Sequence, residues 1–186
     1  VRPGTKGNSC HRAELLQLGI VDAMDDETLL PYLAGCIDCD GYISISARNC
    51  RRKSDDSPVT HFVAIMGLSQ VTPQVPELLA RRFGARVRVY EYNSRVHSLP
   101  AYMWQISNAQ AAAACRLLRP YLQIKAAQAA LIQRFVELPR ITPGERMTAG
   151  QHIARQSLRD AAVALNAQGR RRHAETPSLV DLPATG

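Results

Sequence analysis

Asp38 and Asp40 stand two residues apart at the end of the apolar, small-residue stretch Leu33-Ala34-Gly35-Cys36-Ile37-Asp38-Cys39-Asp40-Gly41. Their position points to cation chemistry. The spacing of Leu29, Leu30, Leu33 and Ile37 predicts a helix, capped by Asp26 and stopped by Gly41 in a left-handed conformation. Both carboxylates then fall in its last turn, where the helix dipole disfavours each by about 0.3–1 kcal/mol. A bound cation would offset that cost. Residues two apart on a helix are rotated by roughly 200 degrees, so the pair cannot chelate one ion from the same face. Asp40, at the terminus, is the expected direct ligand, and Asp38 is expected to cap or hydrogen-bond at the helix end. Cys36-x-x-Cys39 has the spacing of half a zinc site or of a redox pair. No second cysteine pair exists, and its place inside this stretch accounts for it better. The small residues Ala34, Gly35 and Cys39 predict that a second helix crosses here.

The elements that must position these carboxylates can be read in outline. Residues 42–48 alternate Tyr42, Ser44, Ser46 and Arg48 with Ile43, Ile45 and Ala47, a half-buried strand that follows the helix directly. A basic loop leads to a second strand over residues 61–70, with Phe62, Ala64, Met66 and Leu68 on one face and His61, Val63, Ile65 and Gly67 on the other. A helix over 74–83 ends at Gly84, and strands are predicted over 86–92 and 101–107. In the last of these, Tyr102, Trp104 and Ile106 compete with Met103 for the inward face. Helices are expected over 109–118, 121–136 and 149–168. Residues 1–25 read as an N-terminal extension, 26–168 as the domain, and 169–186 as a basic tail without order of its own. The succession of helix, two strands, helix, two strands and helices predicts an α+β domain with helices on one face of an antiparallel sheet. The other face must meet solvent or a ligand.

Charge says which ligand. The 186-residue chain is 46% hydrophobic, enough for a core, and carries a net charge of +7 with a pI near 9.5. Arg48, Arg51, Arg52, Lys53, Arg81, Arg82, Arg86, Arg88 and Arg95 gather around the strands, whereas Asp22, Asp25, Asp26 and Glu27 precede them. An anionic partner is implied, nucleic acid first. The open face would offer Ser44, Ser46, Arg48, His61, Arg86, Arg88 and Tyr90 to the major groove of a DNA duplex, with Arg51, Arg52 and Lys53 beside them. A solvated basic face is the plain alternative. No apolar run is long enough to span a membrane, and the N-terminus lacks an apolar signal core, so a cytoplasmic protein is expected. The five cysteines are odd in number and irregularly spaced, which argues for reduced thiols.

The nine-residue stretch resembles the signature of the LAGLIDADG homing endonucleases, departing only at Cys36 and Cys39. Ser69-Gln70 at the end of the second strand, and the stretch from Pro120 to Ala129, resemble later parts of the same family, and the single-motif, homodimeric branch is the most similar. No second copy of the motif is present. The resemblance implies an αββαββα fold whose curved, four-stranded antiparallel sheet is a saddle for DNA, with extra C-terminal helices. It further implies that the motif helices of two subunits pack through Leu33, Ala34, Gly35 and Cys39, and that Asp40 and the backbone carbonyl of Cys39 hold Mg2+, with Mn2+ or Ca2+ able to occupy the site. Gln70 and Lys125 would organise water around the reacting phosphate, and Gln168, Arg170, Arg171 and Arg172 would touch the DNA backbone. The position where the family commonly adds an arginine after the second strand holds Gln74.

The expected activity is therefore metal-dependent hydrolysis of both strands of a long pseudo-palindromic DNA site by a homodimer, as in intron homing. Such a protein would be nucleoid-associated, or matrix-located if organelle-encoded. An intron RNA maturase and a non-cleaving DNA-binding regulator on the same fold are the alternatives; joint presence of Asp40, Gln70 and Lys125 argues against the regulator.

Overall fold

The computed structural model describes residues 25–51, 58–91, 99–141 and 145–175, with the side chains of 169–175 excluded. The elements run α1 (Asp26–Asp40), β1 (Gly41–Arg51), β2 (Pro58–Gln70), α2 (Gln74–Phe83), β3 (Arg88–Tyr90), β4 (Ala101–Ser107), α3 (Asn108–Leu118), α4 (Ala126–Glu137) and α5 (Ala149–Glu175). The four strands form one antiparallel sheet in the order β1-β2-β4-β3. This is the α+β arrangement that the residue pattern predicts.

Alternation along the strands decides which face is covered. Ile43 and Ile45 of β1 pair with Met66 and Ala64 of β2, and Leu68 and Met66 pair with Trp104 and Ile106 of β4. All of these are buried, and they form one core with Leu33 and Ile37 of α1, Leu79 of α2, Leu118 of α3 and Ile132 of α4. Pairing with Leu68 turns Trp104 inward, where its indole N–H donates to the carbonyl of Gly84 at 2.8 Å. Met103 and Gln105 consequently face the other way, the assignment that the sequence alone left open. From α5, Asn166 donates to the carbonyl of Ile43, and His152 meets the Phe62 ring edge to face.

Several local expectations need correction. The cap of α1 is Asp25, whose carboxylate accepts the Thr28 N–H at 2.9 Å; the Asp26 carboxylate instead pairs with both Nε and Nη2 of Arg82 on α2. Gly41 is extended, with φ −80° and ψ 171°, because the chain passes from α1 straight into β1. Among the described residues of the predicted third strand, Arg88–Tyr90 pair with β4 and Arg86 and Val87 do not. Gly84 and Ala85 just before it adopt positive φ, 81° and 71°, which delays the strand and leaves Arg86 ahead of it. Residues 121–125 form a turn, so α4 starts at Ala126 and runs to Glu137. Leu33 and Ala34 are fully buried in the chain's own core, so they cannot form an intersubunit contact. Gly35 and Cys39 are exposed on the opposite side of α1.

Candidate nucleic-acid interface and active site

The end of α1 is held by a reciprocal clasp. Asp38 is buried, and its carboxylate accepts three backbone N–H groups, from Gln123 at 2.6 Å, Ile124 at 3.1 Å and Lys125 at 2.9 Å. The first two belong to the turn that leads into α4 and the third to its N-cap, Lys125, which has no side-chain cap of its own. Asp38 therefore caps a helix, but one 85 and more residues away in the chain rather than its own. In return the Lys125 ammonium donates to the carbonyls of Ile37, at 2.8 Å, and Asp38. The dipole of α1 is thus offset by a protein cation at the carbonyl end.

Asp40 lies just beyond the clasp and is exposed. Its Oδ2 accepts the Gln70 amide at 2.7 Å from the end of β2. Gln70 fixes the carboxylate's orientation. Burial pulls the Lys125 amine below its ordinary value, and the nearby Asp38, Cys39 and Asp40 act against that shift. Asp40, Gln70 and Lys125 thus gather at one corner, where α1 ends, β1 begins and β2 stops. Among the described residues no group of three or more His, Cys, Asp and Glu side chains could hold a metal ion unaided. Mg2+ binds through one or two carboxylates and takes its remaining ligands from water and substrate phosphate. Asp40 and the Cys39 carbonyl, one of those a helix end leaves without an intrahelical partner, would hold it.

The sheet face away from the helices carries Ser44, Ser46 and Arg48 from β1, His61, Val63 and Ile65 from β2, Met103 and Gln105 from β4, and Arg88 and Tyr90 from β3. Arg48, His61, Arg88 and Tyr90 are exposed, and Ser44 and Ser46 half-buried. Arg51 and Arg86 are exposed near the ends of β1 and β3. Arg52 and Lys53 lie outside the described residues. Gln168 is exposed on α5, whose backbone continues helically through Arg170, Arg171 and Arg172. No described helix is long and apolar enough to cross a membrane.

Two features of this face escaped the sequence reading. Gln105 sits on the strand whose facing could not be assigned, and its partner Tyr42 was not singled out. The available signal was Gly67, since a glycine inside a strand marks close approach of another group.

By sequence, the chain matches no protein-family model and no curated protein. Its fold does match solved structures. The homing endonuclease I-CvuI, in complex with its target in the presence of calcium, superposes with a TM-score of 0.57 at 20% identity, covering 75% of this chain and 83% of that one. An archaeal intron-encoded homing endonuclease complexed with DNA gives 0.58 at 14% identity, over 76% and 86%. The I-LtrWI LAGLIDADG homing endonuclease bound to target DNA gives 0.56 at 20%, over 74% of this chain and 45% of that one. With its helix-to-strand motif, its four-stranded sheet and its five described helices, this chain has the LAGLIDADG homing-endonuclease fold.

Proposed function

We propose that the protein is a site-specific, divalent-metal-dependent DNA endonuclease that acts as a homodimer and cuts both strands of its target. The observation that carries this reading is the convergence of Asp40, Gln70 and Lys125 beside an open, basic sheet face. Lys125 also has a structural role in the clasp, whereas the exposed Asp40 held by Gln70 has none that binding alone would require. Similarity to structures of DNA-bound homing endonucleases supports it.

On this reading each residue has a role. The open face lies in the major groove, with Arg48, Arg51, Arg86 and Arg88 meeting phosphates or guanine edges. Asp40, oriented by Gln70, and the Cys39 carbonyl would hold the ion, which would supply Lewis-acid stabilisation of the phosphate and lower the pKa of a bound water. Gln70 holds the carboxylate toward the ion and helps organise water around that phosphate, and Lys125, anchored on the α1 carbonyls, places positive charge where negative charge develops in the transition state. Two strands need two such corners, and the described residues form one, so a second copy of this chain is proposed to bring the other. The exposed side of α1, with Tyr32, Gly35 and Cys39, is the surface proposed to meet a second copy; Leu33 and Ala34 support it from within.

Cleavage of a randomised duplex library with magnesium, followed by sequencing of the ends, tests the proposal. Discrete double-strand cuts at a near-symmetric site, abolished by Asp40→Asn, are expected. Enrichment of one duplex with no cutting in magnesium or manganese would overturn it.

A further inference from the structure

Tyr42, Gly67 and Gln105 form one transverse row across the open face, since Tyr42 pairs with Gly67 and Gly67 with Gln105. The Tyr42 ring crosses over Gly67. A Cβ at Gly67 would stand 2.5 Å from the phenol oxygen and 2.6 Å from the ring carbon bearing it, so only glycine leaves the passage open. On the far side the Tyr42 hydroxyl donates to Oε1 of Gln105 at 2.8 Å. Burial, and to a lesser degree Tyr90, pushes the Tyr42 phenol up, so it keeps its proton at neutral pH. Gln105 is itself exposed, and it borders a groove of about 370 Å³ lined also by Ala85, Arg86, Val87, Arg88 and Met103.

This arrangement changes what the amide can read. A free glutamine reads adenine in two places, accepting from N6 and donating to N7. Here the Tyr42 hydroxyl occupies one of the two Oε1 lone pairs and fixes the amide plane, so the oxygen is turned toward Tyr42 and the N–H2 is the end turned away from it. Arg86 and Arg88 in the same groove are donors as well, with no acceptor to offer. Guanine is the base whose major-groove edge carries two acceptors, N7 and O6; thymine offers one, O4, beside its methyl group, whereas adenine and cytosine each present an amino donor there.

Resting on the DNA-binding reading above, we propose that Gln105 is a specificity-determining residue whose amide the Tyr42 hydroxyl orients to present its N–H2 donor, selecting guanine at one position of each half-site. Tyr42 is then a positioning residue, acting through Gln105.

The test is selection of a randomised duplex by binding in calcium, which separates recognition from cutting, for the wild type, Gln105→Ala and Tyr42→Phe. Phenylalanine keeps the ring over Gly67 and removes only the hydroxyl. The wild type should enrich guanine at one position per half-site, by roughly 5- to 150-fold over adenine. Gln105→Ala should lose that preference at that position alone, and Tyr42→Phe should admit adenine there while still binding. Identical base profiles for wild type and both variants, or a wild-type preference for adenine or cytosine at the position Gln105→Ala affects, would overturn the inference and leave the DNA reading standing. Failure of folded wild type to retain any duplex would overturn both.

Discussion

Replacing Asp38 by alanine removes the acceptor from three backbone N–H groups at the start of α4. Hydrogen bonds to a charged acceptor contribute about 1.5–3 kcal/mol each. Three at the lower end come to about 4–5 kcal/mol; water entering the exposed turn at Gln123 and Ile124 recovers part, leaving a cost of about 3 kcal/mol. Asp38→Asn keeps one oxygen but sets an amide N–H2 against the remaining donors, at a cost of about 2 kcal/mol. Against the 5–15 kcal/mol typical of a domain, roughly, both variants remain folded. Urea unfolding without metal gives the magnitude, and hydrogen exchange locates it: the amides of Gln123, Ile124 and Lys125 should lose protection first. Were Asp38 an ion ligand instead, neutralising it without the ion would relieve repulsion and stabilise the protein. A gain in stability for Asp38→Asn, or unchanged protection at those three amides, would refute the cap. Cleavage by Asp38→Asn should fall while duplex binding holds, since the lysine loses its platform and the sheet does not.

Two further outcomes test the packing. Gly67→Ala should cost about 1–3 kcal/mol in urea unfolding, because its methyl group meets Tyr42 and stands 2.8 Å from the backbone carbonyl of Trp104, which cannot retreat without breaking the sheet; a wild-type unfolding curve would show the row to be looser than described. Burial pushes the Cys115 thiol up to about 12 from 9.0. Below pH 9 the thiol is protonated in both states; above it the unfolded chain loses a proton that the core retains, so stability falls as pH rises towards 12, by about 4 kcal/mol at the end of that window. The stability difference between wild type and Cys115→Ala should therefore shrink by about 1 kcal/mol between pH 8 and pH 10, and a constant difference would contradict the shift.

What the sequence made legible was what neighbouring residues decide. The alternation Tyr42 to Arg48 and the apolar face Phe62 to Leu68 define β1 and β2 without help from the rest of the chain, and α2 begins and ends where Gln74 and Gly84 place it. Distant partners account for the errors. The start of α4 is displaced because the N–H groups leading into it go to Asp38. The inward turn of Trp104 is a matter of register with Leu68, and nothing within β4 could have chosen it. Leu33 and Ala34 look alike in sequence whether they meet their own core or another chain. At the candidate site, Asp40 was legible from its place on the helix, whereas Gln70 and Lys125 are ordinary polar residues until the fold brings them to the same corner.

The separation of those three residues along the chain also imposes an order of assembly. Gln70 is 30 residues from Asp40, within a helix and hairpin that can close on their own, whereas Lys125 comes to the helix end from 87 residues beyond Asp38. Loop closure over the longer span, and the arrival of α4 late in N-to-C synthesis, bring the lysine in last. On the proposed chemistry, much of the basic sheet exists before the cutting corner is complete. Since α4 also brings Ile132 into the core beneath the sheet, the docking step that completes the packing is the one that completes the corner.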